Sequence, residues 1–230
     1  MSRAFTAAVL LAAAVGVSEV TTSANGSGAG AMSVPSSSMA PRTPEERAIE
    51  AYKSGDGHRV KGRKLEAEAA SKKGGDAEKA LAKARGEFEK ALKDFKNAAQ
   101  FNPQLFQAYN GMGYAYRKTG DFAKALEMYD QAITMAPGFY AEAVEYRAEA
   151  YLSLNRIEDA RKAYLDLFAA DRKQADSLMV AMKAWVAARR ADPSGVDGAT
   201  VDAFEKWIGE REGIAKETRL MGVSSRYAGW

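Results

Sequence analysis

The chain has no cysteine and one histidine among its 230 residues. Without cysteine there can be no disulfide, thiol nucleophile or thiolate-bound metal, and no lipidated cysteine behind an export signal. The single histidine, His58, cannot complete a nucleophile and base pair or a zinc site of the usual ligands. Proline is scarce, at six residues, and avoids the stretches read below as helices. No internal run approaches the roughly 20 apolar residues that span a bilayer. Charge of one sign is also lacking, because the formal net charge is only +3. The basic run His58-Arg59-Val60-Lys61-Gly62-Arg63-Lys64 is flanked by Asp56, Glu66 and Glu68, so a solvated helical face is favoured over a phosphate-binding patch. Gly111-Met112-Gly113 lacks the preceding strand and the following Lys-Ser/Thr pair of a phosphate loop. Carboxylate pairs are abundant, as on any charged helix, and carry no weight as acid-base groups. These absences predict a chain that is not an enzyme and that uses no cofactor or metal.

What is present is a repeat. Gly86, Phe88, Ala91, Leu92, Phe95, Ala98 and Pro103 stand 34 positions before Gly120, Phe122, Ala125, Leu126, Tyr129, Ala132 and Pro137. Tyr151, Asn155, Ile157, Ala160, Tyr164 and Leu167 follow their counterparts, from Tyr116 to Ala132, at 35. Within the central unit, Phe106 to Pro137, small Gly113 and Ala125 would let two antiparallel helices approach. Tyr109, Met112, Tyr116, Phe122, Leu126 and Tyr129 fill the space around them at helical spacing. Thr119-Gly120-Asp121 reads as a glycine stop followed by an aspartate N-cap, and Pro137 ends the second helix. Gly111 costs its helix roughly 1 kcal/mol against alanine with no packing reason visible in the sequence.

Around this core the chain divides into four parts. Residues 1–24 read as a signal peptide: basic Arg3, an apolar stretch from Ala4 to Val17, and small residues at Thr22-Ser23-Ala24, with cleavage after Ala29 or Ala31 as alternatives. Glu19 and the polar run behind it argue against an anchor or a buried helix. Residues 25–44, rich in Ser, Gly, Pro and Met, read as a flexible linker. Residues 45–221 are expected to be helical throughout. Helix starts at Pro44-Glu45-Glu46 and runs to about Ala70, where Lys73-Gly74-Gly75-Asp76 would supply a glycine stop and an aspartate N-cap. A partner helix then spans Ala77 to about Phe101. This first hairpin exceeds the repeat length and would project as a charged coiled-coil-like arm. Ala175 to Ala191 and Thr200 to Met221 read as capping helices, with Trp185 and Trp207 plugging the last repeat rather than binding ligand. Residues 222–230 lack periodicity and read as a flexible tail, whose Trp230 either frays or docks.

The period and the residue types at these positions resemble the tetratricopeptide repeat (TPR) family, most strongly from Phe106 to Asp171 and again from Arg85 to Pro103. That resemblance implies an all-α, right-handed superhelical solenoid of antiparallel helix pairs: about three units, the first extended, plus C-terminal capping helices. In such proteins the first helices of successive repeats line a concave groove that binds an extended or helical segment of a partner protein. The matching positions here are Gln107, Asn110, Tyr114, Arg117 and Lys118, then Glu142, Glu145, Glu149 and Leu152. The three glutamates share one helical face, suited either to a basic ligand or simply to solvent. Tyr114 stands where a carboxylate-clamp member of the family would place asparagine, which argues against recognition of a chaperone tail. The signal peptide adds export, to a periplasm, and a scaffold or adaptor role in a cell-envelope assembly without nucleic acid. The competing expectation is an oligomerisation module that self-associates through the long hairpin.

Overall fold

A computed structural model describes residues 42–227. The expected signal peptide, nearly all of the expected linker and Trp230 lie outside the described residues. Within them the chain is eight helices and no strand: α1 (Pro44–Ala70), α2 (Gly75–Phe101), α3 (Phe106–Thr119), α4 (Phe122–Met135), α5 (Ala141–Ser153), α6 (Ile157–Ala170), α7 (Arg172–Ala191) and α8 (Gly198–Tyr227). Each helix packs on the next. The first helices of successive pairs also touch, α1 against α3, α3 against α5 and α5 against α7, giving the expected solenoid of helix pairs.

Local chemistry accounts for most boundaries. Thr43 caps α1 in a reciprocal box: its hydroxyl accepts from the Glu46 amide at 3.2 Å, and the Glu46 carboxylate accepts from the Thr43 amide at 2.9 Å. Gly120 closes α3 at φ 91°, a left-handed conformation that disfavours any residue with a Cβ. Asp121 then accepts from the Lys124 amide at 3.2 Å to open α4. In the next unit Asn155 fills the glycine's place at φ 57°, a role to which its short polar side chain is suited.

Other boundaries depart from the expectation. The stop of α1 is Ser71 rather than a glycine, its hydroxyl donating to the Glu68 carbonyl at 2.8 Å. The cap of α2 is Gly74, which leaves Asp76 inside the first turn, favourable toward the helix dipole but not a cap. Helix α7 begins at Arg172, three residues before the expected start, because Asp171 accepts from the Gln174 amide at 3.1 Å. Helix α8 starts at Gly198 and extends to Tyr227, into the segment expected as a tail.

The first hairpin is two helices of 27 residues each, against 14 each in α3 and α4. Its seam is built from small residues. The buried positions of α1 are Ala48, Gly55, Gly62 and Ala69, one every seventh residue, and α2 opposes them with Ala84, Ala91 and Ala98 and with Phe88 and Phe95 at the same interval. A strict seven-residue repeat keeps one stripe facing the partner helix along its length. A Cβ on Gly62 would lie 2.4 Å from the Phe88 ring, and one on Gly55 would lie 2.8 Å from Phe95. The same Phe95 ring explains Gly111, whose Cβ would meet it at 2.7 Å. In the central unit Gly113 approaches the Tyr129 ring in the same way, at 2.6 Å.

The far end is closed with large side chains. Leu167, Leu178, Met182, Trp185 and Phe204 are each at most 2% exposed. Trp185 packs edge-on to Phe204 at 5.5 Å, and Trp207 stacks on Phe204 at 6.0 Å, so both tryptophans plug the last repeat as expected.

Gly62 and Gly57 on α1 should respond oppositely to alanine. At Gly62 overpacking of about 1–3 kcal/mol outweighs a helix-propensity gain of roughly 1 kcal/mol, so Gly62→Ala lowers the urea midpoint. Nothing lies within 4 Å of a Cβ on Gly57, so Gly57→Ala should stabilise by about 0.5–1 kcal/mol. Urea titrations of the two variants beside the parent chain would check both signs.

Candidate partner-binding groove

Helices α1, α3 and α5 lie side by side, and the charged residues on their facing sides are drawn into the seams between them. Arg117 of α3 forms an ion pair with Glu149 of α5, their side chains 9% and 11% exposed. The Arg117 Nε also donates to the Tyr129 hydroxyl at 3.4 Å, and the guanidinium lies 5.1 Å from the Tyr114 ring centre and 5.5 Å from that of Tyr146. On the other side of α3, Lys118 reaches back to Glu66 of α1 at 2.8 Å. Burial pushes the Lys118 ammonium below its usual range, an effect that Glu66 partly opposes.

Glu145 is 3% exposed. Desolvation, and then the neighbouring Glu149, push its carboxyl well above the usual range. The Arg117 guanidinium opposes this shift.

Asn110 donates to the Tyr140 hydroxyl at 3.0 Å and to Glu142 at 3.4 Å. Tyr114, 4% exposed, packs edge-on against Phe88 at 6.0 Å and against Tyr146 at 5.1 Å, and burial raises its hydroxyl pKa. Burial, followed by Glu142, pushes the Tyr146 phenol up to about 12. Leu152, expected on the groove wall, is instead 3% exposed within the apolar cluster of Ile157, Leu178 and Met182. It offers no surface to a partner. Gln107 is half-buried, and Glu142 keeps 38% of its side chain exposed. Of the nine expected positions these two open to solvent, whereas Asn110, Tyr114, Arg117, Lys118, Glu145 and Glu149 are engaged within the fold.

Arg59 belongs to the same cluster and was not among the expected positions. Asp56, three residues away on α1, holds its Nη2 at 2.6 Å and its Nε at 2.8 Å. Its Nη1 extends over α3 toward α5, 3.5 Å from the Tyr146 hydroxyl and 3.8 Å from Glu142. The Asp56 and Arg59 spacing was visible in the sequence, but contact with a helix 87 residues away carries no local signal. His58 likewise faces inward, its Nδ1 2.7 Å from Glu87 of α2 and its Nε2 3.9 Å from Asp94. The run read as a solvated face therefore ties α1 both to its hairpin partner and to the third repeat. Among the described residues no three His, Asp or Glu side chains come together in a way that could hold a metal ion. No helix there is long and apolar enough to cross a membrane.

A family model for the tetratricopeptide repeat matches residues 106–139, covering α3, α4 and the turn that follows, and a second TPR model matches residues 81–120. Residues 81–139 of this chain are tetratricopeptide repeats. The match upstream begins inside α2, at residue 81, and leaves only the first turns of that long helix outside the family pattern. No curated protein matches the chain. Repeats of this family generally mediate protein–protein interaction and serve as scaffolds rather than enzymes.

The raised pKa of Glu145 makes stability pH-dependent. The folded-state pKa of Glu145 is raised, so its contribution is complete below the unfolded value of about 4.3. It is lost as pH rises toward and through the folded value. Thermal melts taken upward from pH 4.5 should show falling stability, and Glu145→Gln, which keeps a neutral hydrogen-bonding group, should flatten that limb.

Proposed function

We propose that this TPR protein is an interaction scaffold whose docking surface is the face formed by α1, α3 and α5, and that it works in a bacterial cell-envelope assembly after export. The observation that carries the reading is the mouth of the cluster. Glu142 and Gln107 open to solvent beside Tyr146 and Arg59, on a bed of polar residues whose positions are locked by buried ion pairs. A rigid polar floor with a few solvent-facing groups suits a peptide segment, since little side-chain ordering remains to oppose binding. Export is supported by the sequence of residues 1–24, and the mature chain should begin at Asn25. Intact-mass measurement on the protein recovered from cells would locate that end.

The groove reading is tested by affinity capture from envelope extract, with the full chain as bait beside a Gln107→Ala, Glu142→Lys variant. A partner captured by the parent chain and lost from the variant supports the groove. Equal capture by both moves the docking surface elsewhere.

One observation favours self-association as a second reading. Ile49 and Val60 on α1 are 49% and 54% exposed. Eleven residues apart, they fall within about 20° of each other around the helix, with the uncrowded Gly57 between them. Pairing of this stripe with its copy in a second chain would make a dimer. Light scattering should then show a dimer that Val60→Glu converts to monomer, and a monomeric parent chain would remove the reading.

A further inference from the structure

The closed end of the first hairpin is the most strongly charged surface of the molecule. Residues 59–85 hold nine basic and four acidic side chains, an excess of five where the whole chain carries a net +3. In the sequence the basic run is balanced by Asp56, Glu66 and Glu68, but the fold engages each of those carboxylates separately. Asp56 holds Arg59 at 2.6 Å, Glu66 turns inward to Lys118 of α3 at 2.8 Å, and Glu68 meets Lys72 at 3.6 Å.

What remains outside is basic. Lys61, Leu65, Glu68 and Lys72 follow one another at spacings of four, three and four, which puts them on one stripe of α1, with Lys64 at its border. An open cleft of about 370 Å³ joins that stripe to α2, where Lys73, Asp76, Lys79, Ala80 and Lys83 line it beside Leu65, Glu68 and Lys72. Asp76 lies against Lys79 at 3.7 Å. Among the described residues Lys61, Lys64, Lys73 and Lys83 stand in no ion pair, and all four are exposed. Arg59 and Glu66, which reach toward α3, lie about 140–160° around the helix from Lys61, so the lysine face looks away from the groove.

We propose that this face docks the protein on a membrane surface of anionic phospholipid. The inference is independent of the groove reading, since the surface is a different one. Its six cations are all lysines, hydrated point charges that lack the planar fork with which arginine grips one phosphate. No aromatic ring stands among them for a nucleic-acid base to stack on. Val60, 54% exposed, lies beside Lys61 and one turn before Lys64. An apolar side chain at the edge of a cationic face suits the boundary between lipid headgroups and acyl chains.

The test is co-sedimentation of the full chain with phosphatidylcholine vesicles, either pure or containing about 30% phosphatidylglycerol, at about 0.1 M salt. Binding is expected to rise with phosphatidylglycerol and to fall away at about 0.5 M salt, where the charges are screened. The apolar stretch from Ala4 to Val17 is common to all variants, and pure phosphatidylcholine reads its contribution. Each lysine near such a surface contributes roughly fivefold to binding, so the combined Lys64→Gln, Lys73→Gln, Lys83→Gln variant should bind about a hundredfold more weakly. Its melting temperature should not change, because the three side chains are exposed. Lys93→Gln, Lys173→Gln, Lys206→Gln removes the same charge from exposed positions elsewhere and should leave vesicle binding nearly unaltered. Binding no stronger with phosphatidylglycerol than without it, or an equal loss in the two triple variants, overturns the proposal. A short DNA duplex forms the last arm: a chain that binds the duplex through these lysines and ignores the vesicles would assign the face to nucleic acid instead.

Discussion

The close approach of an aromatic ring to a glycine backbone is the contact on which the rest of this solenoid depends. Phe95 is the pivotal case, because its ring meets Gly55 of α1 and Gly111 of α3 at under 3 Å from where either Cβ would stand. One side chain thereby sets the spacing of three helices. Phe88 against Gly62 repeats the device along the hairpin, and Tyr129 against Gly113 repeats it in the central pair. In the third unit Ala148, fully buried, stands at the position equivalent to Gly113, a small residue in the same role. Interiors packed at crystal-like density do not yield to an added methyl without shifting a neighbour, so these contacts fix how the pairs stack.

Close stacking has an electrostatic consequence. When first helices approach this nearly, charged side chains between them lose water and must find partners or be neutralised. Arg117 finds Glu149, Lys118 finds Glu66, and burial pushes the Glu145 carboxyl above its usual range. Arg59 extends across α3 to meet α5. Positions that would line an open groove in a looser stack have become the polar seam of this one, and the solvent-facing opening shrinks to Gln107 and Glu142 with Arg59 and Tyr146 around them. The resulting floor is held by buried ion pairs.

The two ends of the solenoid are finished differently. At the C-terminal end Trp185, Phe204 and Trp207 cover the apolar face that a last repeat leaves open. At the N-terminal end the long hairpin holds itself together by its small-residue seam and by the clasp of His58 on Glu87, and presents Ile49 and Val60 outward. The two ends therefore differ in what they leave exposed.

The repeat, the turn chemistry at Gly120 and Asp121, and the long first hairpin were legible from the sequence, because each rests on local propensity or on spacing within one unit. The seven-residue run Ala48, Gly55, Gly62, Ala69 was present in the sequence too, but it escapes a search for apolar periodicity, since its message is small size and not hydrophobicity. Gly111 had no explanation until Phe95 of the preceding pair was placed against it. Nor could spacing separate Glu142, which opens to solvent, from Glu145, which is buried, although both lie on the same expected face. The sequence by itself determined which stretches form helices and, at Gly120 and Asp121, where one stops and the next begins. Only the tertiary structure decided which charges are buried, which pair with which, and what remains open to a partner, because those outcomes depend on the distance between successive repeats, set by contacts remote in the chain.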